Sequence, residues 1–197
     1  MYLKLPGVKI HVTFLFAAAL ALAINAGRAE AVGTVFASAL LHECAHLALL
    51  LSYGEKNLTL TLRPGGASIE NASLSALPYQ KLLVCALAGP AVNLTLAGLF
   101  FVCGQRFHGE FFGQAARVNL LLGGFNLLPL SFLDGGRALD CILCLKRKSP
   151  VPGGVRRGID VLVVSLLAAA SVYLLFTGRD ALFLLLFTAY CAAGIVR

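Results

Sequence analysis

The residues with the clearest chemistry are two histidines that lie four positions apart, His42 and His46, with Glu43 between them. On a helix, residues i and i+4 lie one above the other, so the two imidazoles can bind one metal ion. H-E-x-x-H is the spacing of two zinc ligands whose intervening glutamate acts as a general base. The pattern therefore predicts a metal ion and a carboxylate that act on the same water molecule.

This motif lies inside an apolar run, Ala31 to Tyr53, that is long enough to cross a bilayer. Titratable side chains in hydrocarbon cost several kcal/mol each, so a cluster of three needs a purpose. The alternatives are a chance match, a solvated helix face and histidines that only pack. Leucines crowd around the motif and argue against a solvated face, and two histidines that bracket a glutamate argue against simple packing. We interpret the motif as a metal site within the membrane.

A tetrahedral zinc ion needs a third protein ligand, and Asp134 is a candidate for that role. It follows a segment that contains Pro129 and precedes Gly135 and Gly136, so the backbone can bend there. The alternative is an N-cap, because an aspartate before a helical stretch, Arg137 to Leu145, would cap that helix. Chemistry alone leaves both roles open.

The composition is that of an integral membrane protein. The chain of 197 residues is 59% hydrophobic and only 13% charged, with a mean hydropathy of +0.86. The first apolar stretch is long for a signal peptide and lacks a convincing cleavage site, so we expect a retained span. The predicted fold class is an all-α membrane protein with one membrane-embedded domain, residues 1–197, and no appended soluble domain.

Six membrane spans can be traced from hydropathy, and they cover residues 10–26, 31–53, 82–103, 111–130, 159–176 and 181–196. The fourth span contains Arg117, Asn119 and Asn126 together with two glycines. A span with that many polar and small residues should face protein or a water-filled cavity rather than lipid.

The positive charges indicate the orientation. With a cytoplasmic N-terminus and six spans, twelve of the 16 Lys and Arg residues fall on the cytoplasmic side. The positive-inside rule then places both termini in the cytoplasm, with His46 in the cytoplasmic half of its span. The net charge of +7 is explained by the membrane topology and by attraction to anionic lipid headgroups. No nucleic acid is therefore expected as a partner. We expect Arg156 and Arg157 to contact lipid headgroups.

Three linked motifs resemble the site-2 protease family of intramembrane zinc metalloproteases. They are His42-Glu43-x-x-His46, Gly89-Pro90-x-x-Asn93, and Asn126-x-x-Pro129 leading to Asp134-Gly135-Gly136. The resemblance implies that His42, His46 and Asp134 bind zinc and that Glu43 activates water. It also implies that Asn126 lines the cleft and helps to hold the substrate.

The short six-span layout is similar to the bacterial stage IV sporulation protease group. That resemblance implies the bacterial cytoplasmic membrane as the location and a pro-sigma factor as the substrate. Members of that group usually carry a C-terminal cystathionine-beta-synthase-type domain, which this sequence lacks, and no insertion is long enough for a PDZ domain. Either the natural protein is minimal or the sequence stops before such a domain, so nucleotide sensing through that domain and the exact substrate both stay open.

The segment after the second span predicts β structure. Leucine and threonine alternate from Leu58 to Leu62, and Pro64-Gly65-Gly66 predicts a turn. An ordinary interfacial loop is the alternative. A short β-hairpin or re-entrant segment would instead offer an edge on which an extended substrate could pair.

These features predict an intramembrane zinc metalloprotease that cuts a membrane-associated protein near the cytoplasmic face. Its expected partners are that substrate, the lipid bilayer and a membrane regulator that closes the cleft. The alternative is a zinc-handling membrane carrier or sensor, which would have no need of Glu43. Cys141 and Cys144 have metal or redox spacing, but packing on a helix is the interpretation we favour.

Overall fold

The computed structural model describes residues 2–5, 8–12, 29–56, 58–63, 66–70, 77–177 and 182–196. The chain divides into two compact units, residues 1–125 and residues 126–197. The described strands are β1 (Tyr2–Leu5), β2 (Val8–Val12), β3 (Leu58–Arg63) and β4 (Gly66–Glu70). The described helices are α1 (Ala29–Ser52), α2 (Tyr79–Phe107), α3 (Glu110–Asn126), α4 (Asp134–Arg147), α5 (Gly153–Phe176) and α6 (Leu182–Val196).

Three helices in the described ranges are long and apolar enough to cross a membrane, namely Glu30–Ser52, Tyr79–Phe107 and Gly153–Phe176. They coincide with the second, third and fifth predicted spans. Helix α3 has 17 residues and α6 has 15, so both are shorter than the roughly 20 residues that a bilayer requires. The predominantly helical fold is confirmed, whereas the number of six spans stays a prediction.

The first predicted span, residues 10–26, starts in the wrong place. Residues 10–12 belong to β2, and residues 13–28 lie outside the described part of the chain. The sequence of β2, Val8-Lys9-Ile10-His11-Val12, alternates with the period of a strand. Hydropathy alone merged this strand with the apolar residues that follow it.

The four strands form one sheet in the order β1-β2-β3-β4. Strands β1 and β2 are antiparallel, β2 and β3 are parallel, and β3 and β4 are antiparallel. The sheet is anchored to the helices of the first unit through Leu58, which packs in a buried cluster with Leu50 of α1 and Cys85 of α2. Strand β3 therefore starts beside the end of α1 that carries the histidines.

A polar stripe runs along α1 inside the first unit. Its members follow one another at intervals of four residues and are all buried: Thr34, Ser38, His42 and His46. The four-residue step places them on one face of the helix. From α3, the amide nitrogen Nδ2 of Asn119 donates a hydrogen bond of 2.9 Å to Oγ of Ser38. The polar face of α1 is thus covered by its helical neighbours.

In the second unit, α5 packs against α6. The segment that links α3 to α4, residues 127–133, packs on these two helices. Oγ of Ser171 in α5 and Oγ1 of Thr188 in α6 lie 3.3 Å apart. The ring of Phe132 in the linking segment contacts Tyr190 edge to face, with centroids 6.2 Å apart. Gly194 of α6 allows Phe132 to approach the helix closely, because an added Cβ would lie 2.9 Å from the ring.

Candidate metal centre

His42 and His46 present their rings together on the buried face of α1. Their ring centroids are 4.9 Å apart and their planes meet at 74°. Both side chains are buried, at 4% and 7% exposure. The H-E-x-x-H spacing therefore places two imidazoles side by side, as the helical period requires.

Each imidazole is held by helix α2 through its Nδ1 atom. Nδ1 of His46 donates a hydrogen bond of 2.8 Å to the backbone carbonyl of Cys85. A carbonyl can only accept, so the proton of neutral His46 lies on Nδ1 and the lone pair lies on Nε2. Nδ1 of His42 lies 3.2 Å from Oδ1 of Asn93, which supports the same tautomer. Metal-binding histidines typically use their second ring nitrogen in this way.

Gly89 of α2 makes room for the two rings. A Cβ added at Gly89 would overlap the Nε2 atoms of both His42 and His46. The two ring nitrogens that carry lone pairs therefore converge above Gly89, where a residue with a side chain would not fit. Two converging imidazole nitrogens fit a zinc ion, which accepts neutral histidine nitrogen as a ligand.

Asn93 is the residue whose role sequence reasoning missed. It is fully buried, and its Nδ2 atom has no hydrogen-bond partner among the described residues. Gly123 of α3 lets that helix approach, because a Cβ added there would lie 3.2 Å from the Asn93 side chain. Gly89 and Asn93 are four residues apart in α2, so their shared face was the available signal.

Asp134 begins α4 in the second unit and is buried, with 8% exposure. The N-cap position of that helix is occupied by Leu133, and no side chain caps it. The predicted helix, Arg137 to Leu145, thus starts three residues earlier than expected. His42 and His46 of the first unit and Asp134 of the second make up a candidate donor set of two imidazoles and one carboxylate, which are ligand types that zinc accepts.

The other two predicted site residues are less enclosed. Glu43 follows His42 in α1 and is half-buried, and Asn126 is the half-buried last residue of α3. Their roles as base and as substrate ligand stay predictions. Cys141 and Cys144 are buried in α4, and no disulfide is formed by the cysteines of the described ranges.

Comparisons with known proteins show what the chain is similar to. No protein-family model matches it. It is 33% identical over 117 residues to zinc metalloprotease MJ0392 of Methanocaldococcus jannaschii, which covers 57% of this chain and 34% of that protein. Two further relatives are named putative zinc metalloproteases. The protein sll0528 of Synechocystis is 39% identical over 116 residues, which cover 55% of this chain and 30% of that protein. Rip3 of Mycobacterium tuberculosis is 33% identical over 144 residues, which cover 69% of this chain and 36% of that protein.

A solved structure matches the whole chain. The site-2 protease from Methanocaldococcus jannaschii superposes with a TM-score of 0.66 at 26% identity, over 100% of this chain and 95% of that one. The comparisons support the site-2 protease family. The chain spans about a third of the length of the curated relatives it matches.

The site-2 protease fold and the apolar helices together indicate an integral membrane protein. The names of the relatives and the buried donor set support zinc as the metal. The sporulation group is supported by neither the relatives nor the solved structure, so it stays a prediction.

Proposed function

We propose that this protein is an intramembrane zinc metalloprotease that cleaves a membrane-associated protein substrate. The observation that carries the proposal is the pair of histidines whose Nδ1 atoms are held by Cys85 and Asn93 and whose Nε2 atoms converge above Gly89. A histidine pair that only packed would not need both rings oriented in this way. Relatives named zinc metalloproteases support the same activity.

The proposed ligands are His42, His46 and Asp134. The capping alternative for Asp134 requires it at the N-cap of α4, where Leu133 lies instead. A buried carboxylate in the first turn of a helix is stabilised as the anion by the backbone N–H groups there, which favours a ligand that must be ionised.

Glu43 is the proposed general base. Zinc, when bound, supplies a Lewis acid that acidifies water and polarises the scissile carbonyl. The carboxylate of Glu43 takes the proton from the attacking water and later delivers it to the nitrogen of the leaving amine. The histidines keep their rings fixed during this cycle because α2 holds both Nδ1 atoms.

The substrate is proposed to bind in an extended form, near the cytoplasmic face. Strand β4 is the last strand of the sheet and pairs only with β3 among the described strands, so its outer edge could accept a further strand. We propose that Asn126 binds the extended backbone through its amide. A pro-sigma factor is the proposed substrate. We also propose that both termini are cytoplasmic and that residues 1–197 act as one catalytic domain.

Cleavage of membrane-tethered candidate substrates, co-expressed with wild type or Glu43→Gln, tests this function. The amide keeps the shape of Glu43 but cannot accept the proton, so we expect cleavage to fall by at least about 100-fold. Zinc content should be unchanged, because Glu43 is not a ligand. A variant that cleaves at the wild-type rate would contradict the role of Glu43. Zinc binding by a wild type that cleaves none of the tethered substrates would instead favour a zinc carrier or sensor.

A further inference from the structure

Two charged residues one turn apart in α5 hold the linking segment, residues 127–133, in place. Nη2 of Arg156 donates a hydrogen bond of 2.9 Å to the carbonyl of Pro129. Oδ1 of Asp160 accepts a hydrogen bond of 2.9 Å from the backbone N–H of Ser131. The same Nη2 lies 3.0 Å from that Oδ1, so one ion pair binds two backbone groups of the segment.

This ion pair is buried, with 11% of the Arg156 side chain and 6% of the Asp160 side chain exposed. Removing two charges from water costs several kcal/mol per ion, and their attraction often does no more than offset that cost. Nε of Arg156 also has no hydrogen-bond partner in the described part of the chain. Stability alone is therefore a poor explanation for charges at this position.

The linking segment is coupled tightly to the start of α4, where Asp134 lies. Its turns are closed by hydrogen bonds from Leu130 N to Leu128 O, 2.8 Å, and from Leu133 N to Leu130 O, 2.9 Å. An added Cβ at Gly135 would overlap the carbonyl of Leu127, and one at Gly136 would overlap that of Leu130. The backbone of the segment thus lies directly on the first turn of α4 and fixes its position.

We propose that Arg156 and Asp160 are positioning residues that set the carboxylate of Asp134 for metal binding. This inference rests on the proposed function, in which Asp134 is the third ligand. The ion pair fixes Pro129 and Ser131, these fix the first turn of α4 through the two glycines, and the turn fixes Asp134. Partners of this kind, one step removed from the metal, typically change metal affinity by about 10- to 100-fold when they are lost.

Asp140 offers a matched control for Asp160, because it also pairs with Arg156. Its Oδ1 accepts a longer hydrogen bond, 3.3 Å, from Nη1 of Arg156, and its side chain is 36% exposed. Burial raises the pKa of the Asp140 carboxyl against the opposing pull of Arg156, and the charge of Asp160 adds to the rise. Among the described contacts Asp140 binds no backbone group of residues 127–133, so Asp140→Asn should alter the ion pair without releasing the segment.

The test removes both charges at once, with Arg156→Met and Asp160→Leu combined in the full chain. Single variants would leave one buried charge unpaired and could fail to fold, whereas apolar replacement of a whole buried pair is often neutral or stabilising. Zinc affinity is measured by chelator competition in detergent, the thermal unfolding midpoint is measured beside it, and the visible spectrum is recorded with Co²⁺ in place of zinc.

We expect the double variant to stay folded but to unfold below the wild-type midpoint, because the N–H of Ser131 and the carbonyl of Pro129 lose their partners. We also expect it to bind zinc about 10- to 100-fold more weakly and to show an altered Co²⁺ spectrum. Asp140→Asn should match wild type in all three measurements. A double variant with wild-type zinc affinity and spectrum would overturn the inference, and so would a loss of affinity shared equally by Asp140→Asn. If wild type itself binds no zinc, or Asp134→Asn binds it as tightly as wild type, the proposed function fails instead.

Discussion

At the scale of single residues, the metal centre depends on which ring nitrogen of each histidine carries the proton. The carbonyl of Cys85 fixes this for His46, and Asn93 supports the same arrangement for His42. Both lone pairs then lie on Nε2, above Gly89. A neutral imidazole with a defined tautomer is the form that binds zinc, so these hydrogen bonds hold both Nε2 atoms in the form and orientation that metal binding requires.

Gly89→Ala tests this convergence directly. The added methyl group would occupy the space of both Nε2 atoms, so we expect zinc affinity to fall at least about tenfold and activity to fall with it. Gly98→Ala is the matched control in the same helix, because nothing lies within 4 Å of a Cβ added there. The control should bind zinc normally. Equal zinc affinity in the two variants would contradict the account.

Asp134→Asn separates a zinc ligand from a helix cap. Asparagine caps a helix about as well as aspartate, so a capping role predicts near-normal stability and activity. A ligand role predicts that loss of the anionic oxygen weakens the site, and activity should fall by about 100-fold or more while the fold survives. Zinc content and proteolysis are measured on the same preparation. Full activity at full zinc occupancy would return Asp134 to a structural role.

At the scale of elements, the sequence predicted the long helices well and the sheet only in part. Runs of apolar residues placed α1 and α2 within four residues of their ends, since hydropathy is a local property. The end of α5 was also placed correctly, but its start was placed six residues too late, because its first turns carry Arg156 and Arg157. Strands β1 and β2 were missed because β2 pairs with β3, and this pairing joins residues about fifty positions apart, as in Ile10 with Leu60. Strand β1 in turn pairs with β2. Arg156 was read as a headgroup contact, although Asp160 at i+4 signalled a helical ion pair.

The glycines after Asp134 belong to the same scale, because they let the linking segment lie on α4. In Gly136→Ala the methyl group would overlap the backbone carbonyl of Leu130, which cannot move aside as a flexible side chain can. We expect a loss of about 1 to 3 kcal/mol in the free energy of unfolding, measured as a lower thermal midpoint. Gly158→Ala in α5, where nothing lies within 4 Å of an added Cβ, should be neutral or mildly stabilising. An unchanged thermal unfolding midpoint for Gly136→Ala would contradict this expectation, because it would show that the linking segment can shift to make room for the methyl group.

At the scale of the whole molecule, the distribution of apolar side chains fits a bilayer. Several large apolar residues of α5 are exposed by half or more, among them Leu162, Leu166 and Phe176. A helix that is apolar on its outer surface is typical of a membrane span. The described part of the chain also buries polar residues, and the three candidate metal ligands His42, His46 and Asp134 are among them. Exposed apolar side chains and buried polar ones are the distribution expected of a protein that lies in a bilayer.

Metal analysis of the detergent-purified full chain tests the central claim most directly. We expect about one zinc ion per chain in wild type, and its loss in His42→Ala and in His46→Ala, because each variant leaves the site one ligand short. Gly98→Ala, purified in parallel, should keep its zinc. A wild-type protein without zinc, or histidine variants that retain it in full, would contradict the account.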